Sequence, residues 1–401
     1  MTKKRYIISV LILGSLTAIG PFSIDMYLPG FAAIAKSFHT TTAQVSLSLS
    51  SFFIGISIGQ LLYGPLLDRF GRKKPLYVGL SLYIITSIGC YFSSSIESLI
   101  TLRFIQAIGS CAAGVASMAM VRDIFPPKDN AKIFALLILI LGVSPMVAPT
   151  VGGYVTSAIG WQYIFLILAV IATLVLLAVV FALPESYQPD PNFSLKPKPI
   201  LNNFLLVIKN PEFYTFAVCG ALAFSGLFAY LAASPFVFMT VFGLSAKVYG
   251  WIFALLSVGF IGASQLNTLL IRHFSSLQII RGALTVMLII SATFLIGSLN
   301  GIINVYSTIL SVFLILCCVG IANPNTSALS LAPFAKNAGT AASLLGALQM
   351  AVGSISSLLV GLFKSQSTIP MAVIMFLSAL ASFLIFLIGS KYIHKQSIKA
   401  V

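Results

Sequence analysis

The stretch that decides the fold is Gly64-Pro65-Leu66-Leu67-Asp68-Arg69-Phe70-Gly71-Arg72-Lys73-Lys74. Five of its eleven residues are charged, whereas charged residues make up only 8% of the 401-residue chain. Long apolar runs precede and follow the stretch. It therefore predicts a short loop at a membrane surface, placed between two membrane-spanning helices.

The composition of the whole chain agrees with a membrane protein. Hydrophobic residues make up 59% of the sequence, and the mean hydropathy is +1.05. Soluble proteins carry roughly 25% charged residues, and a soluble domain of this size could not bury so much apolar surface. The chain is predicted to be an all-α integral membrane protein.

The apolar runs predict twelve spanning helices, since a span needs about 20 mainly apolar residues. A proline-rich stretch between the sixth and seventh runs prevents a continuous helix there. It divides the chain into a six-helix half at 1–183, a cytoplasmic linker at 184–211 and a second six-helix half at 212–401. The predicted spans are 6–30, 43–66, 75–95, 99–121, 132–156, 161–183, 212–236, 246–271, 277–298, 302–323, 338–363 and 369–390.

The distribution of positive charge predicts the orientation. The net charge is +15, but the basic residues lie between apolar runs, which argues against a nucleic-acid partner and for contact with anionic lipid. With both termini in the cytoplasm, all but four of the 23 Lys and Arg residues fall on the cytoplasmic side. The four exceptions are Lys36, Arg103, Lys247 and Lys364.

Several functional classes are disfavoured by what the sequence contains. No nucleotide-binding loop of the Gly-x-x-x-x-Gly-Lys-Ser/Thr type occurs, so an ion gradient is the expected energy source and no cofactor is expected. The five cysteines lie in apolar runs without metal-ligand spacing, so no metal site is predicted. An enzyme would need a cluster of titratable groups, and a channel a charged ring or filter sequence. The basic N-terminus imitates a secretory signal, but its apolar run is long enough to be a retained first span.

Two charged residues within predicted spans are the candidates for chemistry. Arg103 and Gln106 lie one turn apart on the fourth predicted span, so they share a helix face. Asp25 is the only acidic residue well inside a predicted span. Charged side chains at this depth usually face a polar interior and find a partner. The alternatives are an Arg103 that snorkels to the outer surface and an Asp25 wetted by water at a helix end.

The fifth predicted span has an unusual density of helix-perturbing residues. Gly142, Pro145, Pro149, Gly152 and Gly153 lie within twelve positions. Prolines and paired glycines in one span bend a helix and let neighbouring backbones approach closely. A tight helix crossing without further function is the alternative interpretation.

The Gly-x-x-x-Asp-Arg-x-Gly-Arg-Lys-Lys pattern of the Asp68 loop resembles the loop between the second and third helices of major facilitator superfamily transporters. The resemblance implies two six-helix bundles related by a pseudo-twofold axis. It also implies a cytoplasmic gate in which Asp68 faces the eleventh predicted span near Gly339 and Arg72 pairs with Asp123. Arg69 and Arg122 complete that gate.

The motifs of the first half resemble one branch of this superfamily, the drug/proton antiporters linked to bicyclomycin and chloramphenicol resistance. The Asp25-Met-Tyr-Leu-Pro segment, Arg103 and the Arg122-Asp123 pair carry this resemblance, and the motif of the fifth span resembles that of antiporters. It implies export of small lipophilic antibiotics across the bacterial inner membrane, with Arg103 and a proton competing for Asp25. Proton-coupled uptake of a small metabolite by a symporter is the alternative.

Aromatic and amide side chains in the spans are the candidates for a substrate cavity, because aromatic walls with a few polar groups suit lipophilic compounds. Protons and membrane lipid are the other expected partners, and the protein is expected to be a monomer. For any single phenylalanine, helix packing is the alternative role. The candidates are Tyr27, Gln44, Gln60, Gln106, Phe224, Phe228, Tyr230, Phe236, Gln265, Asn267, Asn323, Asn325 and Gln349.

Overall fold

The structure is a computed structural model that describes residues 3–189, 197–334, 338–363 and 367–399. Within these ranges the regular elements are all helices. Residues 190–196 of the predicted linker lie outside the described residues, as do Lys336 and Lys364 of the charge count. The helices are α1 (Lys3–Asp25), α2 (Phe31–Ser37), α3 (Thr42–Phe70), α4 (Lys73–Tyr91), α5 (Ile96–Ile124), α6 (Pro127–Ala158), α7 (Gln162–Ala182), α8 (Pro197–Ile208), α9 (Pro211–Pro235), α10 (Ala246–Leu270), α11 (Ser276–Leu299), α12 (Val305–Leu331), α13 (Ala338–Leu362) and α14 (Ile369–Lys399).

Eleven segments in the described part of the chain are long and apolar enough to cross a membrane. The first of them combines α1 and α2, and the others are the long helices apart from α4. The remaining predicted span, 75–95, corresponds to α4, which is helical but begins with the charged residues Lys73 and Lys74. Gly79, Thr86 and Ser87 lie in its buried face, and such small or polar side chains lower its hydropathy while permitting close contact with neighbouring helices.

The first predicted span, 6–30, is wrong as a continuous helix. The α1 helix ends at Asp25, and a short 3₁₀ turn at Leu28–Gly30 leads into α2. Pro29 has no backbone N–H and so cannot donate to the carbonyl group of Asp25 four residues earlier. The break therefore places Asp25 at a helix end within the apolar segment.

The chain folds into two compact units. One consists of the chain up to Pro197 together with Ser245–Ala254, and the other of Lys198–Leu244 together with the chain from Leu255. In the first unit α5 packs against α3 and α4, while α1 packs against α5, α6 and α7. In the second unit α9 packs against α12, α13 and α14, and α11 packs against α12 and α14.

Glycines allow close helix crossings in the first unit. A Cβ atom added to Gly55 on α3 would lie 2.5 Å from the backbone oxygen of Phe104 on α5. A Cβ atom on Gly109 of α5 would lie 2.7 Å from the backbone oxygen of Gly79 on α4. These contacts leave no room for a side chain, and they bring α3 and α4 close to the part of α5 that carries Arg103.

Candidate functional site

Arg103 is fully buried in the first unit. Its guanidinium donates from Nη2 to the Ser23 backbone oxygen at 2.9 Å and from Nη1 to Gln106 Oε1 at 2.6 Å. The amide of Gln106 in turn donates to Ser87 Oγ at 2.6 Å. This chain of hydrogen bonds links α1, α4 and α5 through one cationic group.

Aromatic rings complete the surroundings of the Arg103 guanidinium. Its Cζ atom lies 4.1 Å from the ring centroid of Phe52, 4.7 Å from that of Tyr27 and 5.7 Å from that of Phe165. The Tyr27 hydroxyl is hydrogen-bonded to the Ser48 hydroxyl. Ring faces attract cations, and the attraction reaches about 2 kcal/mol or more where water is excluded. The charge of Arg103 is thus offset by three aromatic faces and two oxygen acceptors.

Asp25 is only 4% exposed. Its carboxyl group makes neither an ion pair nor a hydrogen bond with any residue that the structure describes. The expected direct contact with Arg103 is therefore absent. Arg103 instead binds the backbone carbonyl of Ser23, two residues before Asp25.

The motif glycines of α6 lie at two backbone contacts within the first unit. A Cβ atom on Gly152 would overlap the backbone oxygen of Met26, the residue after Asp25. A Cβ atom on Gly153 would lie 2.7 Å from the backbone oxygen of Ala246. The α6 helix remains continuous through Pro145 and Pro149, and Gly142 is half-buried within it.

The Asp68 loop holds a second cluster, built around Arg72. The guanidinium of Arg72 lies 2.8 Å from Asp68 Oδ1 and 2.7 Å from Asp123 Oδ2. Burial disfavours the charged form of Arg72, but the hydrogen bonds to Asp123 and Asp68 outweigh this effect and raise the pKa of Arg72 above its ordinary value. Arg72 therefore stays charged and joins α3 and α5 at the start of α4.

The segment that follows α7 caps this cluster. Glu185 accepts the backbone N–H groups of Arg72 and Lys73 at 2.9 Å and 3.1 Å, which satisfies two open donors at the first turn of α4. The ring of Tyr187 lies 4.1 Å from the Arg72 guanidinium, and Ser186 Oγ donates to Asp123 at 3.3 Å. Three consecutive residues of the linker thus contact Arg72 or its partner Asp123.

Comparison with known proteins identifies the family. The profile of the Major Facilitator Superfamily matches residues 13–358. The chain belongs to this superfamily. It is therefore a multi-pass membrane transporter of a small molecule and not an enzyme.

Two relatives place the transporter more narrowly. The uncharacterized MFS-type transporter YdgK of Bacillus subtilis is 32% identical over 392 residues, which cover 96% of each chain. The bicyclomycin resistance protein homolog of Haemophilus influenzae is 31% identical over 378 residues, which cover 92% of each chain. The second match confirms the branch that the motifs of the first half indicate.

A solved structure shows the same fold. A bacterial homolog of the human lysosomal transporter Spinster superposes with a TM-score of 0.69, covering 98% of this chain and 97% of its own. The two sequences are only 14% identical. The major facilitator fold predicted from the Asp68 loop is confirmed.

Two further residues of the predicted gate, Arg69 and Arg122, lie near helix ends. Arg122 is exposed near the end of α5, and Arg69 is half-buried near the end of α3. The expected contact of Asp68 with the region near Gly339 stays a prediction.

The cavity candidates of the transporter fall into two groups. Tyr27 and Gln106 lie in the packing around Arg103 with no exposed surface, and their part in a substrate cavity stays a prediction. Phe228, Tyr230, Asn267 and Asn325 are also buried. The candidates with exposed or half-buried surface are Gln44, Gln60, Phe224, Phe236, Gln265, Asn323 and Gln349.

The sequence reasoning missed the residues that hold Arg103 and Arg72. Ser23, Phe52 and Phe165 come from three different helices, and no spacing in the sequence indicates that they meet. Only its rarity pointed to a role for Glu185, since the chain has just eight acidic residues.

Replacing Glu185 with alanine is expected to destabilise the transporter by about 0.5–2 kcal/mol, the usual effect of losing a helix cap. Glu185→Gln should lose less stability than Glu185→Ala, because the amide oxygen of glutamine can still accept a hydrogen bond from one of the two N–H groups. The measurement is thermal unfolding of the purified protein. Glu97→Ala is the control, since it removes a carboxylate from the first turn of α5 that makes no side-chain hydrogen bond in the described part of the chain. Equal melting temperatures for Glu185→Ala and Glu97→Ala would contradict the cap.

Proposed function

We propose that the protein exports small lipophilic compounds, antibiotics among them, across the bacterial inner membrane in exchange for protons. The observation that carries this proposal is Asp25, a buried carboxyl group in an apolar segment without an ion-pair partner among the described residues. Ionisable groups at such depth mark proton and substrate pathways in transporters. The relationship to a bicyclomycin resistance protein homolog supports a drug as the transported compound.

In the proposed cycle Asp25 binds a proton from the outside and releases it to the cytoplasm as the substrate is loaded. Arg103 supplies a fixed positive charge near this path, and its hydrogen bond to the Ser23 carbonyl ties that charge to the last turn of α1. The two helix bundles open the substrate site alternately to the cytoplasm and to the outside. The Asp68–Arg72–Asp123 cluster stabilises one of these two conformations. The protein acts as a monomer without a cofactor, with both termini in the cytoplasm.

The test is proton flux in inverted membrane vesicles whose lumen has been acidified. Addition of a transported antibiotic is expected to raise the luminal pH, because each import of drug into the lumen releases protons. Vesicles from cells that lack the protein are the control. A further fall in luminal pH would indicate proton symport and favour the uptake function. No change with any compound of a lipophilic panel would contradict antibiotic export.

A further inference from the structure

The second half of the chain contains no acidic residue after Glu212. From Phe213 to Val401 the sequence has neither Asp nor Glu, and Glu212 itself lies in the first turn of α9. A substrate cation would therefore find no carboxylate in the membrane helices of the second unit beyond the first turn of α9. Any recognition there depends on hydrogen bonds and apolar contact.

One amide pair in this unit has hydrogen-bonding capacity left over. Gln349 Nε2 on α13 donates to Asn323 Oδ1 on α12 at 3.0 Å. The amino group of Asn323 and the amide oxygen of Gln349 make no hydrogen bond with the described residues. Both side chains are half-buried, so a donor and an acceptor stand side by side with part of their surface open.

A neighbouring amide pair shows what a purely structural contact looks like. Asn325 Nδ2 donates to Asn267 Oδ1 at 2.7 Å and to the Ile321 backbone oxygen at 2.9 Å. Asn325 and Asn267 are 3% and 6% exposed, as expected of amides that join helices within a membrane. Asn323 is two residues from Asn325 and so belongs to a different face of α12.

Aromatic side chains lie one helical turn from the open amide pair. Gly353 lies one turn after Gln349 on α13, and a Cβ atom there would overlap the ring of Phe228. The ring centroids of Phe228 and Phe224 are 5.4 Å apart, and those of Phe224 and Phe260 are 6.2 Å apart. Phe224 and Phe260 are half-buried, and Phe228 joins this row of rings to α13 one turn after Gln349.

We propose that Asn323 and Gln349, with the wall of Phe224, Phe228 and Phe260, form a substrate subsite of the second unit that takes uncharged lipophilic compounds bearing an amide or hydroxyl group. The proposal rests on the proposed export function and names its substrate class. An apolar wall with a few placed polar groups is the usual construction of such sites. A cation without hydrogen-bonding groups gains nothing from the amide pair.

The test is equilibrium binding to the purified full-length protein. The two probes are chloramphenicol, an uncharged compound with an amide and hydroxyl groups, and tetraphenylphosphonium, a lipophilic cation without them. Asn323→Leu and Gln349→Leu are each expected to weaken chloramphenicol binding about tenfold, the effect of losing roughly one hydrogen bond. The double variant should lose little more than either single one, because the two amides act as a pair. Asn300→Leu, at an exposed amide after α11, should leave binding unchanged.

A variant that binds a probe more tightly than the parent distinguishes the proposed subsite from a general folding defect. Gln349→Glu adds a carboxylate to a stretch of the chain that has none after Glu212, so it should tighten tetraphenylphosphonium binding relative to the parent. Unchanged chloramphenicol affinity in both leucine variants would overturn the subsite. Tighter binding of the cation than of chloramphenicol by the parent protein, or no gain in Gln349→Glu, would also overturn it.

The proposed function and the subsite fail in different ways. Chloramphenicol binding that depends on Asn323 and Gln349, without proton flux in vesicles, would leave the subsite standing and contradict antiport. Proton flux driven only by cations would leave antiport standing and contradict the subsite.

Discussion

Substrate-driven proton flux is expected to fall to the background of vesicles without the protein when Asp25 is replaced by asparagine. Asparagine has nearly the same shape as aspartate, but its amide group cannot bind and release a proton as a carboxyl group does. The carboxyl group of Asp25 has no ion-pair partner among the described residues, so the substitution leaves no cation unpaired. Folding and substrate binding should therefore persist while proton exchange is lost.

The measurement is the luminal pH of acid-loaded inverted vesicles after antibiotic is added, with binding of the same compound to purified protein alongside. Glu97→Gln is the matched control, because it removes an exposed carboxylate at the start of α5 and should leave flux unchanged. Asp25→Glu should retain part of the flux. Full discharge of the gradient by the Asp25→Asn protein would show that the transported proton binds elsewhere.

Replacing Gly152 with valine is expected to reduce both stability and transport. The new side chain would overlap the backbone oxygen of Met26, which no rotamer change of a neighbour can relieve. Overpacking of this kind costs about 1–3 kcal/mol of the free energy of unfolding. Because Met26 follows Asp25 directly, a shift of the Met26 backbone that relieves the overlap also displaces the carboxyl group, so transport should fall further than stability alone explains.

Gly114→Val provides the control for Gly152→Val. Gly114 lies within α5, and a Cβ atom there meets no atom within 4 Å. Both substitutions carry the same change in helix propensity, so the difference in melting temperature between them isolates the contact with Met26. Equal melting temperatures, with equal transport in the two proteins, would refute the close approach of α6 to the end of α1.

Much of the architecture could be predicted because local sequence determines it. The apolar runs indicated the spans, and the charged Asp68 loop indicated the fold. Where the prediction failed, a local feature was underweighted, as at Pro29, which ends α1 at Asp25. The long α12 continues beyond the predicted end at residue 323 because Pro324 is accommodated inside the helix, as membrane helices often allow.

The contacts within the site were harder to predict from the sequence than the fold. The types of its key residues stood out, since Asp25 and Arg103 are charged residues among apolar ones. Among the partners of Arg103 only Gln106 stood out in the sequence. The others are a backbone carbonyl and ring faces, which leave no mark in the sequence. Glu185 binds the backbone N–H of Arg72, which lies more than a hundred residues earlier in the chain. From the sequence alone Glu185 is only one residue of a linker.

The amino-acid sequence by itself determined that this chain crosses a membrane repeatedly, which superfamily it belongs to and which few ionisable groups lie in its spans. These properties follow from hydropathy, charge and motif spacing, which are local. Only the tertiary structure decided that Asp25 and Arg103 do not pair, that Gly152 gives α6 its contact with Met26, and that Asn323 and Gln349 keep a free donor and acceptor. These outcomes depend on which helix faces meet, and that is settled by packing among residues far apart in the chain.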